Sequence, residues 1–148
     1  MIVNELTKDA SLEFLSRKRL GRLACTRNGQ PYITPFYFAR SGAHIYSFST
    51  IGQKIEWMRL NPLVCVEADE MESAQKWTSV VVLGHYEELP KLPEYEQARE
   101  LAHSLLEQRS IWWEPAYART IVKGVERELD PIYFRIRIQT ISGRHATL

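Results

Sequence analysis

The sequence has few of the features that mark membrane-spanning, disulfide-stabilised or nucleic-acid-binding proteins. Its apolar runs are no longer than a strand, as in Val80–Leu83, whereas a transmembrane helix needs roughly 20 apolar residues. Its 2 cysteines, Cys25 and Cys65, are too few for a disulfide framework or a cysteine metal motif. Lys and Arg total 19 against 18 for Asp and Glu, so we expect no broad basic surface for nucleic acid.

The chain is expected to form a single cytoplasmic domain over residues 1–148. That length suffices for one domain with its own core, and no linker-like cluster of Pro or Gly divides it. The segment Met1–Glu5 lacks the basic residues and apolar run of a signal peptide. The cysteines are then free core thiols. The 4 scattered histidines lack metal-ligand spacing, so no metal site is predicted.

The hydrophobic pattern predicts a mainly β fold with short helices. Asn28-Gly29 is the strongest hairpin signal, because both residues tolerate positive φ, and Ser41-Gly42 marks a second turn. Helices are predicted at about Lys8–Arg17, capped by Thr7 and ended by Gly21, then around Ile55–Leu60 and at about Glu94–Gln108. Strands are predicted at Arg22–Thr26, Tyr32–Phe38, His44–Phe48, Leu63–Ala68, Trp77–Glu88 and Ile132–Gln139. Together they indicate a six-stranded antiparallel split or closed barrel, with any ligand outside it or at an interface.

The segment from Ser49 to Lys54, between the third strand and its helix, is a candidate anion site. A helix start leaves backbone N–H groups unpaired and carries partial positive charge. Ser49, Thr50, Gln53 and Lys54 add the hydroxyl, amide and ammonium donors that a phosphate monoester needs. A simpler interpretation is that Ser49 or Thr50 only caps the helix, with Lys54 in solvent.

The order of these segments resembles the pyridoxamine 5′-phosphate oxidase-like flavin-binding family, nearest the branch of the nitroimidazole-resistance proteins. The resemblance covers nearly the whole chain. Its motifs are Leu20–Thr26, Gly29–Phe36, Ile45–Phe48, Gly52–Ile55, Asn61–Cys65, Trp77–Gly84, Phe134–Ile138 and Ser142–Arg144.

The resemblance implies a split-barrel homodimer with two FMN sites at the subunit interface. Lys54 would bind the phosphate beside Ser49, Thr50 and Gln53, and Arg22 would add a phosphate or ribityl contact. The isoalloxazine would lie against the second strand and near the long strand. Apart from the resemblance, the adjacent loop residues Trp112 and Trp113 are expected to pack on a partner or over the cofactor, with plain core packing as the alternative. The remaining cofactor contacts implied by the resemblance are Thr34, Pro35, Phe36, Tyr37, Ser79 and Val80, and the loop context adds Trp113 as a candidate.

Three functions remain open at this point. An FMN-dependent oxidoreductase needs no side-chain acid or base, because the cofactor carries the redox chemistry. A flavin-binding module without turnover would serve as a store, sensor or electron carrier. A related barrel could hold haem, with His85 or His145 as axial ligand, or a deazaflavin. True pyridoxamine phosphate oxidases end in a Trp-, Gln- and Arg-rich segment that Gly143–Leu148 does not match, which argues against vitamin B6 as substrate.

Overall fold

A computed structural model describes residues 1–107, 120–122, 124–127 and 131–148. The strands are β1 (Ile2–Glu5), β2 (Leu20–Arg27), β3 (Gln30–Tyr37), β4 (Ala39–Ser41), β5 (His44–Ser49), β6 (Leu63–Ser73), β7 (Lys76–Glu88), β8 (Thr120–Val122), β9 (Val125–Arg127) and β10 (Ile132–Thr147). The helices are α1 (Lys8–Arg17), α2 (Gln53–Leu60) and α3 (Glu96–Glu107), the last preceded by a 3₁₀ turn at Pro93–Tyr95. No helix in the described ranges is long and apolar enough to cross a membrane.

Eight strands form one antiparallel sheet in the order β3-β2-β6-β7-β10-β5-β4, with β1 also paired to β10. The two ends of this order are covalently continuous, because β3 runs through Phe38 directly into β4. The chain thus pairs with β2 before Phe38 and with β5 after it. This switch of partner rolls the sheet into a barrel.

The barrel stays split on one side of that switch. Ser47, which is 1% exposed, donates its hydroxyl to the Tyr37 carbonyl at 2.6 Å. The Phe38 amide donates to the Arg19 carbonyl at 2.9 Å. Beyond this point the pairing of β5 with β4 has ended, and Phe48 and Ser49 have no ladder with β3 in the described structure. The end of β5 and the edge of β3 therefore border an opening in the barrel wall.

The helices α1 and α2 pack against the main core of the barrel, and α3 covers a second core. The main core includes Phe14 and Leu15 of α1 together with Ile55 and Met58 of α2. A second, smaller core lies under α3, around Ala102 and Leu106. Ala102 and Leu106 are completely buried while Leu101 is 39% exposed, so the buried face of α3 is centred on Ala102 and Leu106.

The mainly β split-barrel class is confirmed, while the number of strands exceeds the expected six. The strands β1 and β4 have only four and three residues, too short for a periodic signal. The last strand continues to Thr147, where it pairs with β1 and β7. Gly143 within it lets α1 approach closely, since a Cβ there would lie 2.6 Å from Ser11 Oγ. Gly21 lies inside β2 and does not end α1, which stops at Arg17.

The predicted turns and first helix cap are confirmed. Asn28 and Gly29 have φ of 51° and 78°, and Gly42 has φ of 59°, as tight hairpin turns require. The Thr7 side chain accepts from the Ala10 amide at 3.1 Å and caps α1. The segment between the predicted strands Leu63–Ala68 and Trp77–Glu88 is itself mostly strand, because β6 and β7 form a long hairpin.

Candidate functional site

A cavity of about 490 Å³ lies in the split between β3 and the end of β5. One wall comes from β2 and β3, and the other from the last residues of β5 and the first turn of α2. The lining residues are Leu20, Pro35, Phe36, Tyr37, Phe48, Ser49, Thr50 and Lys54. The cavity is therefore apolar and aromatic along the strands, and polar and cationic where β5 turns into α2.

Prolines explain why one wall of this cavity is a free strand edge. β3 contains Pro31 and Pro35, and its ladder runs only with β2 in the described structure. Proline has no N–H to donate, so within sheets it is confined to edge strands and bulges. These residues disfavour zipping of β3 onto β5, and the remaining backbone donors and acceptors of β3 stay available to a ligand.

The turn from β5 into α2 places its polar groups without using them for capping. Gly52 is the N-cap and makes no side-chain cap hydrogen bond. The Ser49 hydroxyl donates to the Thr50 carbonyl at 3.2 Å. The interpretation that Ser49 or Thr50 caps the helix is therefore wrong. The first backbone N–H groups of α2 lack intrahelical partners, as at any helix start.

Lys54 is the only charged residue that lines this cavity within the described structure. Its side chain is half-buried, and burial lowers its pKa, with the nearby Cys25 acting in the opposite direction. No carboxylate of the described residues forms an ion pair with it. An ammonium group partly withdrawn from water without an anion is destabilising. This position therefore favours a negatively charged ligand.

The helix that carries Lys54 is firmly attached to the barrel. Ile55 and Met58 are completely buried. Arg59 forms two hydrogen bonds with the Glu88 carboxylate, at 2.8 and 3.1 Å, and this lowers the pKa of Glu88. The Asn61 side chain donates to Thr26 Oγ1 at 2.9 Å. Lys54 is thus held on a rigid element at the cavity's polar end, which suits a binding site.

The outer face of the sheet next to the cavity combines an apolar row with a polar one. Cross-strand register places Ile33, Ala24, Cys65 and Leu83 side by side across four strands. Ile33 and Leu83 are 63% and 52% exposed. Such an apolar row in water is typical of an interaction surface.

The adjacent row contains Arg22, beside Pro35 on one strand and Glu67 on the other. Burial raises the pKa of Glu67 to about 7, and Asp69 adds to this, while Ser79 and Arg22 oppose it. Ser79 donates its hydroxyl to Glu67 at 3.3 Å. Arg22 and Ser79 therefore belong to a carboxylate cluster on the outer face, and neither lines the cavity of a single chain.

The structure brings about half of the predicted site residues together. Those that line the cavity are Pro35, Phe36, Tyr37, Ser49, Thr50 and Lys54. Thr34 lies directly opposite Leu23 of β2, which is completely buried, so the Thr34 side chain is on the core side of β3. Gln53 is exposed at the start of α2, and Val80 is completely buried in the core. Trp112 and Trp113 lie outside the described residues.

Sequence reasoning missed two lining residues, Leu20 and Phe48. The hairpin at Asn28-Gly29 sets a register that ends with Leu20 opposite Tyr37. Counting residue pairs outward from the predicted Asn28-Gly29 turn pairs Leu20 with Tyr37, and this would have placed Leu20 beside the cavity. Phe48 directly precedes Ser49, but only the divergence of β5 from β3 shows that its ring borders the split.

These features define a class of protein: an antiparallel split barrel whose opening presents an aromatic wall and an anion-accepting end. A sequence model of the pyridoxamine 5′-phosphate oxidase family matches residues 7–145. The chain belongs to this family, as the resemblance of its motifs implied.

Three similar proteins show how the fold and sequence are shared. An uncharacterised protein of Rhizobium meliloti (strain 1021) is 38% identical over 146 residues, 99% of this chain and 97% of the relative. The crystal structure of an FAD-binding protein from Mesorhizobium loti is 42% identical, with a TM-score of 0.81, and the match covers 100% of this chain and 99% of that one. A structure from Bacteroides thetaiotaomicron, named as a candidate 5-nitroimidazole antibiotic resistance protein, shares the fold: TM-score 0.66, 14% identity, 98% and 89% coverage.

Replacing Lys54 by Met should not destabilise the ligand-free protein at pH 7. Burial lowers the pKa of Lys54 in the folded state, so the charged form opposes folding at pH values below its unfolded pKa. The stability of the unmodified protein should therefore rise, relative to Lys54→Met, as the pH increases through the lowered pKa. Urea unfolding across this range measures the difference.

The matched comparison is Arg59→Met on the same helix, which breaks the Arg59–Glu88 pair. This partly exposed pair should cost up to about 1 kcal/mol of unfolding free energy when it is lost. A Lys54→Met variant that loses as much stability as Arg59→Met would show that Lys54 has a structural role.

Proposed function

We propose that this protein is a flavin-dependent oxidoreductase that binds FMN in the cavity between β3 and β5. The observation that carries the proposal is Lys54: a half-buried cation with no ion-pair partner in the described residues, at one end of an apolar and aromatic cavity. Such a cavity accepts a flat aromatic ring system joined through a flexible chain to a phosphate.

The cavity's residues fit the two ends of a flavin mononucleotide. Thr50 and Lys54 supply hydroxyl and ammonium donors for the phosphate, beside the open N–H groups of α2. The Ser49 hydroxyl would join them by turning away from the Thr50 carbonyl. Pro35, Phe36 and Tyr37 form a strand wall against which the ring system would lie. The FAD-binding protein of Mesorhizobium loti, 42% identical, supports a flavin, and the FMN portion is common to FMN and FAD.

When bound, the flavin supplies the hydride- or electron-transfer chemistry. The chain's own residues would bind the flavin, orient its ring system and shield it from water. Lys54 holds the phosphate, the β3 edge offers backbone donors and acceptors to the ring edge, and Phe36 and Phe48, both at least nine-tenths buried, exclude water from one side. Within the described residues no histidine or carboxylate lines the cavity, so the proposed chemistry uses no side-chain acid or base.

Haem is a weaker alternative on the geometry of the histidines. His145 Nδ1 is hydrogen-bonded to Thr78 Oγ1 at 2.9 Å, and His85 lies on the outer face of β7, opposite Leu63. Neither reaches the cavity's described lining, whereas haem iron needs an axial side-chain ligand.

The first test is the identity of the chromophore in the purified protein. We expect flavin absorption bands without a Soret band, and heat denaturation should release FMN that co-elutes with the authentic compound. Treatment of the released material with a phosphodiesterase distinguishes FAD, which is cleaved to FMN, from FMN, which is unchanged. Release of FAD would correct the cofactor but keep the flavin site, and a protein that neither carries nor binds a flavin would refute the proposal.

Replacing Lys54 by Ala should weaken FMN binding by about 1.5–3 kcal/mol, which is the contribution of a charge-assisted hydrogen bond. The affinity is measured by quenching of flavin fluorescence. Lys76→Ala is the control, because Lys76 pairs with Glu72 at 2.9 Å at the end of the β6–β7 hairpin and does not line the cavity. Equal affinities of the two variants for FMN would remove Lys54 from the phosphate site.

Turnover separates an oxidoreductase from a flavin carrier. The bound flavin is reduced anaerobically and mixed with oxygen, a nitroaromatic compound or a quinone. Reoxidation faster than that of free FMN by one of these supports an enzyme, whereas reoxidation no faster than free FMN by all of them supports the carrier.

We further propose a cytoplasmic homodimer that buries the outer face of β2, β3, β6 and β7. Leu20 and Pro35 belong both to this face and to the cavity, so a second copy seated on the face would also border the cofactor. The exposed apolar row that includes Ile33 and Leu83 supplies apolar surface whose burial would stabilise the dimer. Burial raises the pKa of Glu67 to about 7, so this carboxyl takes up a proton more readily than an ordinary one, which lowers the cost of covering it.

Replacing Leu83 by Lys should convert the dimer to a monomer, because a covered lysine in an apolar row loses its hydration without a partner. Sedimentation velocity measures the change. Leu101→Lys is the control, since Leu101 is a partly exposed leucine on α3, outside the sheet face. A Leu83→Lys variant that stays dimeric would place the interface elsewhere, and a monomer that still binds FMN tightly would contradict a site shared between subunits.

A further inference from the structure

A second cavity, of about 380 Å³, lies at the other end of β5 and is independent of the proposed flavin site. It is enclosed by the first turns of α1, the turn between β4 and β5, and the middle of β10. The strand β5 separates the two cavities by five residues, which is about 17 Å. We propose that this second cavity binds a small organic acid, through its carboxylate or phosphate group.

The cavity exists because β10 changes partners at this point. Its pairing with β5 ends at Arg137, opposite His44, and its pairing with β1 begins at Arg144, opposite Glu5. Residues 139–142 have no strand neighbour on that side in the described structure. A register shift against β7 between Ile138 and Thr140 also bulges the strand here. Bulges of this kind are frequent beside functional sites.

Two cations line this cavity, and no carboxylate of the described residues neutralises them. The Arg40 guanidinium is fixed along one edge: its Nε donates to the Gly42 carbonyl at 2.9 Å, and its Nη1 to Ser16 Oγ at 2.9 Å. These acceptors are neutral. The other nitrogen, Nη2, makes no hydrogen bond within the described residues, so its two donors are available. Lys8 supplies the second cation.

The rest of the lining combines apolar side chains with the exposed polar side chains of Gln139 and Thr140. Three half-buried aliphatic side chains line the cavity: Leu12 of α1, and Ile138 and Ile141 of β10. With Nε and Nη1 engaged by Gly42, Ser16 and Leu12, the Nη2 group of Arg40 remains to donate to an oxygen of a carboxylate or phosphate. The combination of this cation with an aliphatic floor selects an anion with an apolar body over a bare inorganic ion.

The test measures binding of benzoate, phenyl phosphate, benzamide and inorganic phosphate to the purified protein by calorimetry and by amide chemical shifts. Benzoate or phenyl phosphate should bind and shift the amides of Gly42, Ala43 and Thr140. Benzamide, which lacks the charge, and inorganic phosphate, which lacks the apolar body, should bind at least tenfold more weakly. Which of the two aromatic anions binds more tightly identifies the preferred head group.

Two variants locate the site without disturbing the Arg40 contacts. Lys8→Glu should weaken aromatic-anion binding tenfold or more, and a carboxylate at this helix start does not oppose the helix dipole. Ala43→Phe places a ring in the cavity and should abolish binding. Arg27→Glu, a charge reversal on the exposed β2–β3 hairpin, and Lys54→Ala should leave the affinity unchanged.

Several outcomes would overturn the proposal. They are equal binding of benzamide and benzoate, equal binding of inorganic phosphate and phenyl phosphate, anion binding that survives both Lys8→Glu and Ala43→Phe, and the loss of binding in Lys54→Ala. The last result would assign the anion to the cavity between β3 and β5.

Discussion

The divergence of β3 and β5 beyond one buried hydrogen bond controls the architecture of the site. Ser47 ties β5 to the Tyr37 carbonyl at 2.6 Å, and from there the two strands separate. The barrel closes on one side of this contact through β4 and opens on the other. The prolines of β3 keep its edge from pairing, and Ile55 and Met58 anchor α2 in the core, so the opening is bordered by a strand edge and a helix start.

In the proposed flavin site, the position of Lys54 would favour ligand binding at the expense of folding stability. Its partial burial without a counter-ion opposes folding, and the surrounding contacts of α2, including the Arg59–Glu88 pair, offset that cost. A fully solvated lysine would cost less folding free energy but would attract an anion more weakly, because the charge–charge interaction is stronger where water is partly excluded. The second cavity follows the same logic, with Arg40 held by neutral acceptors.

The sequence predicted local features well where one short-range signal decided them. The turn at Asn28-Gly29 specified the β2–β3 register down to Leu20 and Tyr37, and Thr7 capped α1 as expected. The pieces of the barrel that were missed, β1 and β4, are too short for periodicity and form only because β10 and β5 offer them an edge. The strand residues Thr34 and Val80, predicted near the cofactor, are not among the residues that line the cavity of the single chain, and Val80 is completely buried in the core.

The sequence by itself determined the fold class, the family and the polar segment from Ser49 to Lys54, because these depend on periodicity, turn chemistry and the order of motifs. Tertiary structure alone decided which residues share the cavity. Leu20 and Phe48 join it, while Arg22 and Ser79 lie with Glu67 on the outer face. The reason is that neighbours across a sheet are set by register and by where strands separate, and both are properties of distant segments meeting rather than of any one segment.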